Sequence, residues 1–297
     1  MIISLKKTLL LQVNKIYVDL SINRILNATK HNKQIILETR PPLKCNGTPQ
    51  HYYHFLFDLV LPLHILLSKA SSNVQFIVEA PGPFSDLLMR MFPERIILNS
   101  DAEWNNGIAR YKLIGMNPNG VHIKSEVLEN LKTYLSNTLN INIDGYSNRV
   151  LLIQRLPPDT FYRSAKSKNK SAGTQRRSIP NQKELKNKIE SMLKPEYIFN
   201  NVQLEKMTFE DQILYFHQAR LVIGQHGAGL ANCIWMQNEN NVIEFSNNRE
   251  LTHFRIISAI KNLKHFIYKT NDRHAAIDLD HFPEWIKSQK ELNKFFV

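Results

Sequence analysis

A glycine-rich turn after an apolar run is the part of this sequence best suited to chemistry. Residues 221–223 have the pattern of a buried parallel strand, and residues 228–236 have that of the first turns of a helix. The turn region contains Gly224, His226, Gly227, Ala228, Gly229 and Leu230. Unpaired N–H groups at a helix start lie at the positive end of the helix dipole, where a phosphate binds. The turn therefore predicts a phosphate site, with His226 as a side-chain donor.

The spacing of these glycines separates the turn from two common nucleotide motifs. Gly224, Gly227 and Gly229 match neither the dinucleotide-binding fingerprint nor the Walker loop, which disfavours a nicotinamide or ATP site. The alternative interpretation is that the glycines only form a tight turn and that His226 has a structural role.

A carboxylate follows the turn at a position suited to a nucleotide. Residues 241–245 form a second short apolar run, spaced as the next strand of a β-α-β unit, and Glu244 lies at its end. A carboxylate at the carboxyl end of a strand, beside a phosphate site, can accept hydrogen bonds from ribose hydroxyls. The sequence predicts this role for Glu244, although taken alone the residue would be an ordinary solvated charge.

A long loop upstream of the glycine turn is rich in basic residues. Residues 163–177 hold Arg163, Arg176, Arg177 and three lysines without an acidic residue, a pattern typical of a solvated, mobile segment. Arg155 lies at the end of the preceding predicted strand. An arginine pair can hold a diphosphate and offset the charge that grows on a departing nucleotide. We predict this role for Arg155 and Arg177, and a flexible lid for the lysines between them.

A helix near the start of the chain places three polar side chains on one face. His51, His54 and Asp58 recur there at helical spacing. Pro62 lacks an N–H group, so it leaves the Asp58 carbonyl unbonded and is expected to kink the helix. A metal site and a merely stabilising His54–Asp58 pair both fit this spacing. The interpretation we favour is a general base, Asp58 or His54, that takes the proton of an incoming hydroxyl.

Three blocks of the sequence together resemble one family. In chain order they are residues 51–63; Gln154-Arg155 with Arg176, Arg177 and Asn181; and residues 208–245, which include Asp211-Gln212, Ala219-Arg220, the glycine turn, Asn232 and Val242-Ile243-Glu244. Their order and spacing resemble glycosyltransferase family 61, which includes protein O-GlcNAc transferases, plant xylosyltransferases and bacterial capsular-polysaccharide proteins. The resemblance implies the GT-B type of α/β fold, in which two facing Rossmann-like domains with parallel sheets enclose a central cleft.

The resemblance also implies a reaction. It is the inverting transfer of a sugar from a nucleotide-sugar, of the UDP type, to a hydroxyl of a glycan or glycoconjugate. Asp58 matches the family's acidic position and is the expected base, with His54 orienting it or the acceptor. Arginines and the positive end of the helix are expected to supply the charge that a divalent metal would otherwise provide. No metal or other cofactor is therefore expected, and the nucleotide-sugar donor is a co-substrate. The one Asp-Xaa-Asp sequence, Asp278-Leu279-Asp280, follows no predicted strand and is discounted.

Length and pattern predict two domains. A 297-residue chain with 43% hydrophobic residues lies in the size range where a single core usually splits. Residues 144–148 form a turn-rich break, which places an acceptor-side domain at 1–145 and a nucleotide-sugar domain at 146–297. The final helix, from about Pro283, is expected to pack back on the N-terminal domain.

The net charge of the chain limits the classes of partner that it is expected to bind. A net charge of +12 favours an anionic partner, such as a nucleotide-sugar, an anionic glycan, a membrane surface or nucleic acid. Only Phe161 and Tyr162 accompany the basic loop, so a nucleic-acid partner is not expected. Peripheral contact with an anionic membrane stays open. Two other classes also stay open: a non-catalytic nucleotide- or glycan-binding protein of this fold, and a basic nucleic-acid-binding protein.

The N-terminal run and the cysteines bear on location. Residues 1–11 resemble a signal peptide, but polar residues soon interrupt the apolar run, and no later stretch reaches membrane-spanning length. Cys45 and Cys233 are the two cysteines and imply no disulfide framework. The expected location is therefore the cytoplasm, including the inner face of a membrane.

Overall fold

The described chain forms two compact units. A computed structural model describes residues 2–99, 107–145, 148–169, 171–247 and 253–297, with side chains from residue 7 onward. Unit 1 is Met1–Asn140 with Ser164–Asn169, and unit 2 is Ile141–Arg163 with Lys170–Val297. Residues 146 and 147 of the expected break, and Lys170 of the expected lid, lie outside the described residues. The boundary at 145/146 stays a prediction.

Unit 1 is built on a parallel sheet of four strands. Its main elements are α1 (Ile2–Ala28), β1 (Gln34–Arg40), α2 (Tyr52–His54), a π-helix (Phe55–Val60), α3 (Leu61–Leu67), β2 (Gln75–Glu79), α4 (Ser85–Met91), β3 (Ile96–Asn99), β4 (Arg110–Ile114) and α5 (Ser125–Thr138). The strand order is β3-β2-β1-β4, with Leu37 of the central strand β1 opposite Val78 and Tyr111. Short apolar runs in the sequence at residues 35–37, 75–78, 95–98 and 111–114 predict these four strands, and the structure confirms them, whereas α1 and α5 were not predicted.

Unit 2 is built on a parallel sheet of five strands. Its main elements are β5 (Arg149–Ile153), α6 (Gly173–Arg176), α7 (Gln182–Met192), β6 (Ile198–Val202), α8 (Phe209–His217), β7 (Ala219–Gln225), a 3₁₀-helix (Ala228–Trp235), β8 (Asn241–Ser246), α9 (His253–Ile260), β9 (Lys264–Lys269) and α10 (His281–Ser288). The strand order is β6-β5-β7-β8-β9. The protein is thus a mixed α/β protein with two parallel sheets, consistent with a Rossmann-like glycosyltransferase fold.

The final helix belongs to the core of unit 2. Phe282 and Ile286 of α10 are fully buried there with Phe295, against residues of β7 and β8 such as Ile223 and Phe245. The expectation that this helix packs back on the N-terminal domain rested on its apolar side, and that side is buried within unit 2 instead. None of the described helices combines the length and the apolar character needed to cross a bilayer.

The two helices that carry the predicted site residues are not regular α-helices. Asp58 lies in the π-helix, and the residue after that helix, Leu61, donates its N–H to the Leu56 carbonyl. This wider turn directly precedes Pro62, whose missing N–H would interrupt an α-helical hydrogen-bond ladder. The segment after the glycine turn, expected to begin an ordinary helix, is a 3₁₀-helix in which Leu230 donates to the Gly227 carbonyl.

The middle of the basic loop is fastened to unit 1. The buried Gln50 amide donates to the Lys166 carbonyl at 3.2 Å and accepts the Lys168 N–H at 2.7 Å. Lys168 also forms an ion pair with Glu79. A side-chain amide offers one donor edge and one acceptor edge, so it pairs with the backbone of this segment as a neighbouring strand would. We refer to residues 164–169 as the strap.

Candidate active site

The glycine turn continues from β7 at the carboxyl edge of the unit 2 sheet. His226 donates its N–H to the Phe245 carbonyl at 2.8 Å, which extends the pairing of β7 with β8 by one residue. The first hydrogen bond of the 3₁₀-helix comes from Leu230, so the N–H groups of Gly227, Ala228 and Gly229 precede it. A helix start leaves such groups without a partner inside the helix. They can therefore donate to an anion.

Arg155 braces this turn from the end of β5. Its Nη2 donates to the His226 carbonyl at 2.9 Å. A Cβ atom on Gly227 would lie 1.3 Å from that nitrogen. The backbone of Gly227 is extended, with φ of 161°, a conformation open to any residue. Glycine is therefore needed here for space, because the guanidinium of Arg155 occupies the place of a side chain.

Several arginines share the surroundings of the turn. Burial, and then the charge of Arg177, lower the pKa of Arg155 to about 10. Burial, and then the charges of Arg176 and Arg273, lower the pKa of Arg177, while Glu244 opposes this change. The Nε of Arg177 is buried and has no hydrogen-bond partner within the described part of the chain. A bound anion would relieve this repulsion between like charges and supply the absent partner.

Gln225 connects the two segments that carry Arg177 and Arg273. Its side-chain amide donates to the carbonyls of Ser178 at 3.1 Å and Arg273 at 2.9 Å. The Ser178 N–H also donates to the Arg273 carbonyl, at 3.1 Å. Neither Gln225 nor Arg273 was predicted as a site residue. Gln225 stands directly between the predicted Gly224 and His226, whereas Arg273 follows a strand that was not predicted.

Glu244 is held by two histidines. One carboxylate oxygen accepts from Nδ1 of His226 and the other from Nε2 of His265, at 2.8 Å. Burial raises the pKa of Glu244, but its hydrogen bonds to the two histidines and their charges outweigh burial and hold the pKa below its ordinary value. We predicted that Glu244 binds ribose. Both of its oxygens are engaged and the residue is 1% exposed, so in this arrangement it orients His226.

The remaining predicted residues of the turn serve packing. A Cβ on Gly224 would meet Ile153 at 3.1 Å and Leu230 at 3.3 Å, and one on Gly229 would meet Leu204 at 2.9 Å. Leu230 is fully buried, whereas Ala228 is partly exposed beside the amides described above. These glycines allow the 3₁₀-helix to pack closely on β5 and β7.

In unit 1, the partly buried His54 pairs with the buried Asp58. His54 Nδ1 lies 2.7 Å from Asp58 Oδ2, and Asp58 is 3% exposed. The other oxygen, Oδ1, has no hydrogen-bond partner among the residues that the structure describes. Burial raises the pKa of Asp58, and the hydrogen bond and charge of His54, followed by the backbone N–H of Asn117, oppose the rise. A carboxylate with one oriented oxygen and one unbonded oxygen can accept a proton from a hydroxyl.

Two glycines make room for this pair. A Cβ on Gly115 would lie 2.3 Å from Asp58 Oδ1, and a Cβ on Gly47 would lie 2.1 Å from the ring of His54. Gly115 directly follows β4 and donates its N–H to the Arg40 carbonyl at the end of β1. The pair therefore lies where the neighbouring strands β1 and β4 end. Neither glycine was predicted, because both stand outside any motif.

The glycine turn with its arginines in unit 2 and the His54–Asp58 pair in unit 1 each lie where the strand order of their own sheet reverses. In unit 2, β6 and β7 flank β5 on opposite sides, so the chain order reverses between β5 and β7, the strands that lead to Arg155 and His226. In unit 1, the order reverses between β1 and β4, where Asp58 lies. Ligands of open α/β sheets bind at the carboxyl edge at such a reversal.

Comparison with known proteins supplies the family. The family model described as Glycosyltransferase 61 matches residues 52–243, more than half of the chain. The chain belongs to glycosyltransferase family 61. No curated protein matches it. The matched range includes the His54–Asp58 pair, Arg155, Arg177 and the glycine turn, and it ends just before Glu244.

Membership makes this protein a glycosyltransferase, an enzyme with a sugar donor and an acceptor. Within the described part of this family 61 member, no group of three or more His, Cys, Asp or Glu side chains is arranged to hold a metal ion. The Asp278 carboxylate accepts the backbone N–H groups of Asp280 and His281, at 3.0 and 2.9 Å, at the start of α10. Of this Asp-Xaa-Asp sequence, the Asp278 side chain thus binds the backbone at the start of α10, whereas Asp280, the N-cap residue, makes no side-chain capping bond.

Proposed function

We propose that this glycosyltransferase transfers a sugar, with inversion at the anomeric carbon, from a UDP-sugar to a hydroxyl of a glycan or glycoconjugate. The observation that carries the proposal is the arginine group at the glycine turn. Arg155 and Arg177 repel each other, and Arg177 has a buried Nε that lacks a partner among the described residues. A diphosphate supplies the negative charge and the acceptor oxygens that these groups need.

The proposed leaving-group site uses side chains and backbone together. Arg177 and Arg155 bind the diphosphate, the amides of Gly227 to Gly229 donate to it, and His226 adds a side-chain donor. All of these contacts become stronger as charge moves onto the departing nucleotide, which is the condition for catalysis. Glu244 is proposed to orient His226 and not to bind ribose.

Asp58 is the proposed general base. Its Oδ1 accepts the proton of the acceptor hydroxyl as that oxygen attacks the anomeric carbon, and the bond from this carbon to the diphosphate breaks on the opposite face. His54 holds Oδ2 and thereby orients the carboxylate. The raised pKa of Asp58 makes the carboxylate a stronger base than an exposed one. The GT-B organisation and its central cleft stay predictions.

A donor screen tests the proposal. Hydrolysis of a panel of UDP-, CMP- and GDP-sugars is measured by release of the nucleotide, and NMR of the released sugar reports its anomeric configuration. We expect release from a UDP-sugar, with the anomeric configuration inverted. Tight nucleotide binding without sugar release would favour a non-catalytic binding protein. Salt-sensitive oligonucleotide binding without mononucleotide affinity would favour a nucleic-acid-binding protein.

Metal independence is part of the proposal. Arginines and backbone donors provide positive charge at the leaving group, and Asp278 caps a helix. We therefore expect turnover to persist in excess EDTA at its rate without chelator. Complete loss of turnover, restored by manganese or magnesium, would contradict this expectation and favour a metal at His51, His54 and Asp58 or at Asp278-Leu279-Asp280.

Peripheral contact with an anionic membrane is proposed on the basis of α1. Leu9, Ile16, Tyr17 and Leu20 are exposed along one side of this helix, and the chain carries a net charge of +12. Like charge disfavours a second copy as the partner. Flotation with phosphatidylglycerol vesicles should weaken in the Ile16→Ser/Leu20→Ser protein but not in Ile198→Ser, an exposed residue of β6. A dimer that the double substitution dissociates would contradict membrane binding. The cytoplasmic location stays a prediction.

A further inference from the structure

A chain of buried hydrogen bonds extends from the glycine turn into unit 2. It begins at His226, passes through Glu244 to His265, and ends at Ser258 of α9. Ser258 Oγ lies 2.7 Å from Nδ1 of His265, and Nε2 of His265 lies 2.8 Å from Glu244. Glu244 and Ser258 are each 1% exposed. His265 and Ser258 lie beyond the range that the family model matches.

The protons in this chain can be assigned from the donors and acceptors. The pKa of Glu244 lies below its ordinary value, so the carboxylate is ionised at neutral pH and can only accept. Both histidines must therefore donate to it, His226 through Nδ1–H and His265 through Nε2–H. The Ser258 hydroxyl can then donate to the remaining lone pair, on Nδ1 of His265. The charge of Glu244 is left to stabilise a proton on His226.

This assignment determines what the outer nitrogen of His226 does. When Nδ1–H is directed at Glu244, Nε2 is the ring nitrogen that remains for a ligand. A carboxylate behind an imidazole fixes its tautomer and stabilises the imidazolium form, whose second N–H is a donor. A diphosphate held by Arg155 and Arg177 can accept the hydrogen bond from this N–H.

We propose that His265 and Ser258 are positioning residues that direct Glu244 at His226, so that Nε2–H of His226 donates to the leaving diphosphate. The inference rests on the proposed function for the identity of that ligand. As the bond from the anomeric carbon to oxygen breaks, its electron pair stays on the phosphate oxygen, which accepts the hydrogen bond from His226. The proton of the acceptor hydroxyl goes to Asp58, so no further reactant is needed.

Other titratable groups face this chain and must be considered in any pH experiment. The ring of His253 packs edge-on against that of His226, with centroids 5.9 Å apart, and Phe254 covers another side at 4.9 Å. Cys233 is buried nearby, where burial and the charge of Glu244 raise the pKa of its thiol, so it remains neutral. Arg155 and Arg177 keep their charge throughout the neutral range.

Nitrogen NMR of the full chain labelled with ¹⁵N-histidine tests the proton assignment without a substrate. In the wild type we expect Nδ1–H of His226 and Nε2–H of His265 to be directed at Glu244. Ser258→Ala should release the second ring into a mixture of tautomers and change the ring-nitrogen chemical shifts of His226. The control is Tyr268→Phe, which removes a hydroxyl 3.0 Å from Nδ1 of His281. It should leave His226 unchanged. An Nδ1–H form at His265, or no effect of Ser258→Ala on His226, would overturn the assignment.

Turnover tests the catalytic consequence separately. His265→Leu removes the donor to Glu244, whereas His265→Gln keeps an N–H group of similar reach. We expect His265→Leu to lower kcat roughly tenfold with little change in KM, and His265→Gln to restore most of it. Equal kcat values for both variants and the wild type would refute a positioning role. If the NMR assignment holds but no nucleotide-sugar is turned over, the proposed function fails while the hydrogen-bond chain stands. If His265→Leu fails to fold, the kcat values of Ser258→Ala and His265→Gln test the positioning role instead.

Discussion

Gly227→Ala should weaken nucleotide binding without unfolding the protein, because the added methyl group replaces the guanidinium of Arg155. A Cβ at this position would lie 1.3 Å from Nη2, so the guanidinium must leave and its 2.9 Å hydrogen bond to the His226 carbonyl is lost. The extended backbone at Gly227, with φ of 161°, accepts alanine. Only the end of a flexible side chain has to move.

The magnitude follows from the contact that is lost. A hydrogen bond to a charged group contributes about 1.5–3 kcal/mol, and 1.4 kcal/mol is a tenfold change in affinity. If the displaced guanidinium no longer contacts the diphosphate, the Kd for UDP should rise roughly 10- to 150-fold. The free energy of unfolding should fall by no more than about 1.5–3 kcal/mol, the contribution of the lost hydrogen bond from Arg155 to the His226 carbonyl, since no backbone shift is needed.

Calorimetric titration with UDP measures the change in Kd, and thermal denaturation measures the change in stability. Arg155→Ala should weaken binding on its own, and adding Gly227→Ala to it should cost nothing further, because the clash no longer exists. Gly224→Ala gives the cost of crowding alone, since its nearest neighbours are the apolar tips of Ile153 and Leu230. A wild-type Kd for Gly227→Ala, or the same penalty in the presence and absence of Arg155, would refute the reasoning.

The remaining predictions concern the base and the second arginine. Asp58→Asn should lower kcat roughly a hundredfold or more and leave the UDP Kd intact, with a milder effect of His54→Ala; an inactive His54→Ala beside a fully active Asp58→Asn would exchange the roles. Because burial raises the folded-state pKa of Asp58 above its unfolded value, its contribution to stability is present below the unfolded pKa, about 4, and is lost as pH rises through the folded pKa. Asp58→Asn should therefore gain melting temperature relative to wild type between pH 4.5 and pH 8, and a difference independent of pH would contradict this. Arg177→Ala should lower turnover roughly a hundredfold while the fold survives, whereas Arg163→Ala, an exposed arginine of the same loop, should not; equal rates would remove Arg177 from the mechanism.

The parts of the fold that the sequence predicted are those with a simple hydrophobic pattern. Strands such as β5 and β8 are buried on both faces and appear as continuous apolar runs, which are easily recognised. Helix α1 was missed because it carries apolar residues on two sides: Val18 and Ile22 are buried, whereas Leu9 and Ile16 are exposed. Such a helix shows no single stripe. Strand β9 was missed because its apolar run is only three residues long, Phe266 to Tyr268, and is flanked by Lys264, His265 and Lys269.

The candidate site was predictable where its chemistry is local in sequence. His54 and Asp58 are one helical turn apart, and the glycine turn is continuous. The supporting residues are not local: Gly115 meets Asp58 from the end of β4, and His265 meets Glu244 from the neighbouring strand β9. Their roles arise from strand order and register, which no motif records. The same holds for Glu244, whose partners are fixed only when β8 lies between β7 and β9.

The strap has a consequence for how this chain can be divided. Residues 164–169 belong spatially to unit 1 but follow β5 of unit 2 in the sequence. A protein that ends at residue 145 would therefore lack the backbone groups that pair with both edges of the Gln50 amide, and Glu79 would lose its lysine. Conversely, a fragment that starts at residue 146 would carry a basic loop with nothing to fasten it. Each unit is compact in space, yet no single cut in the sequence yields two intact halves.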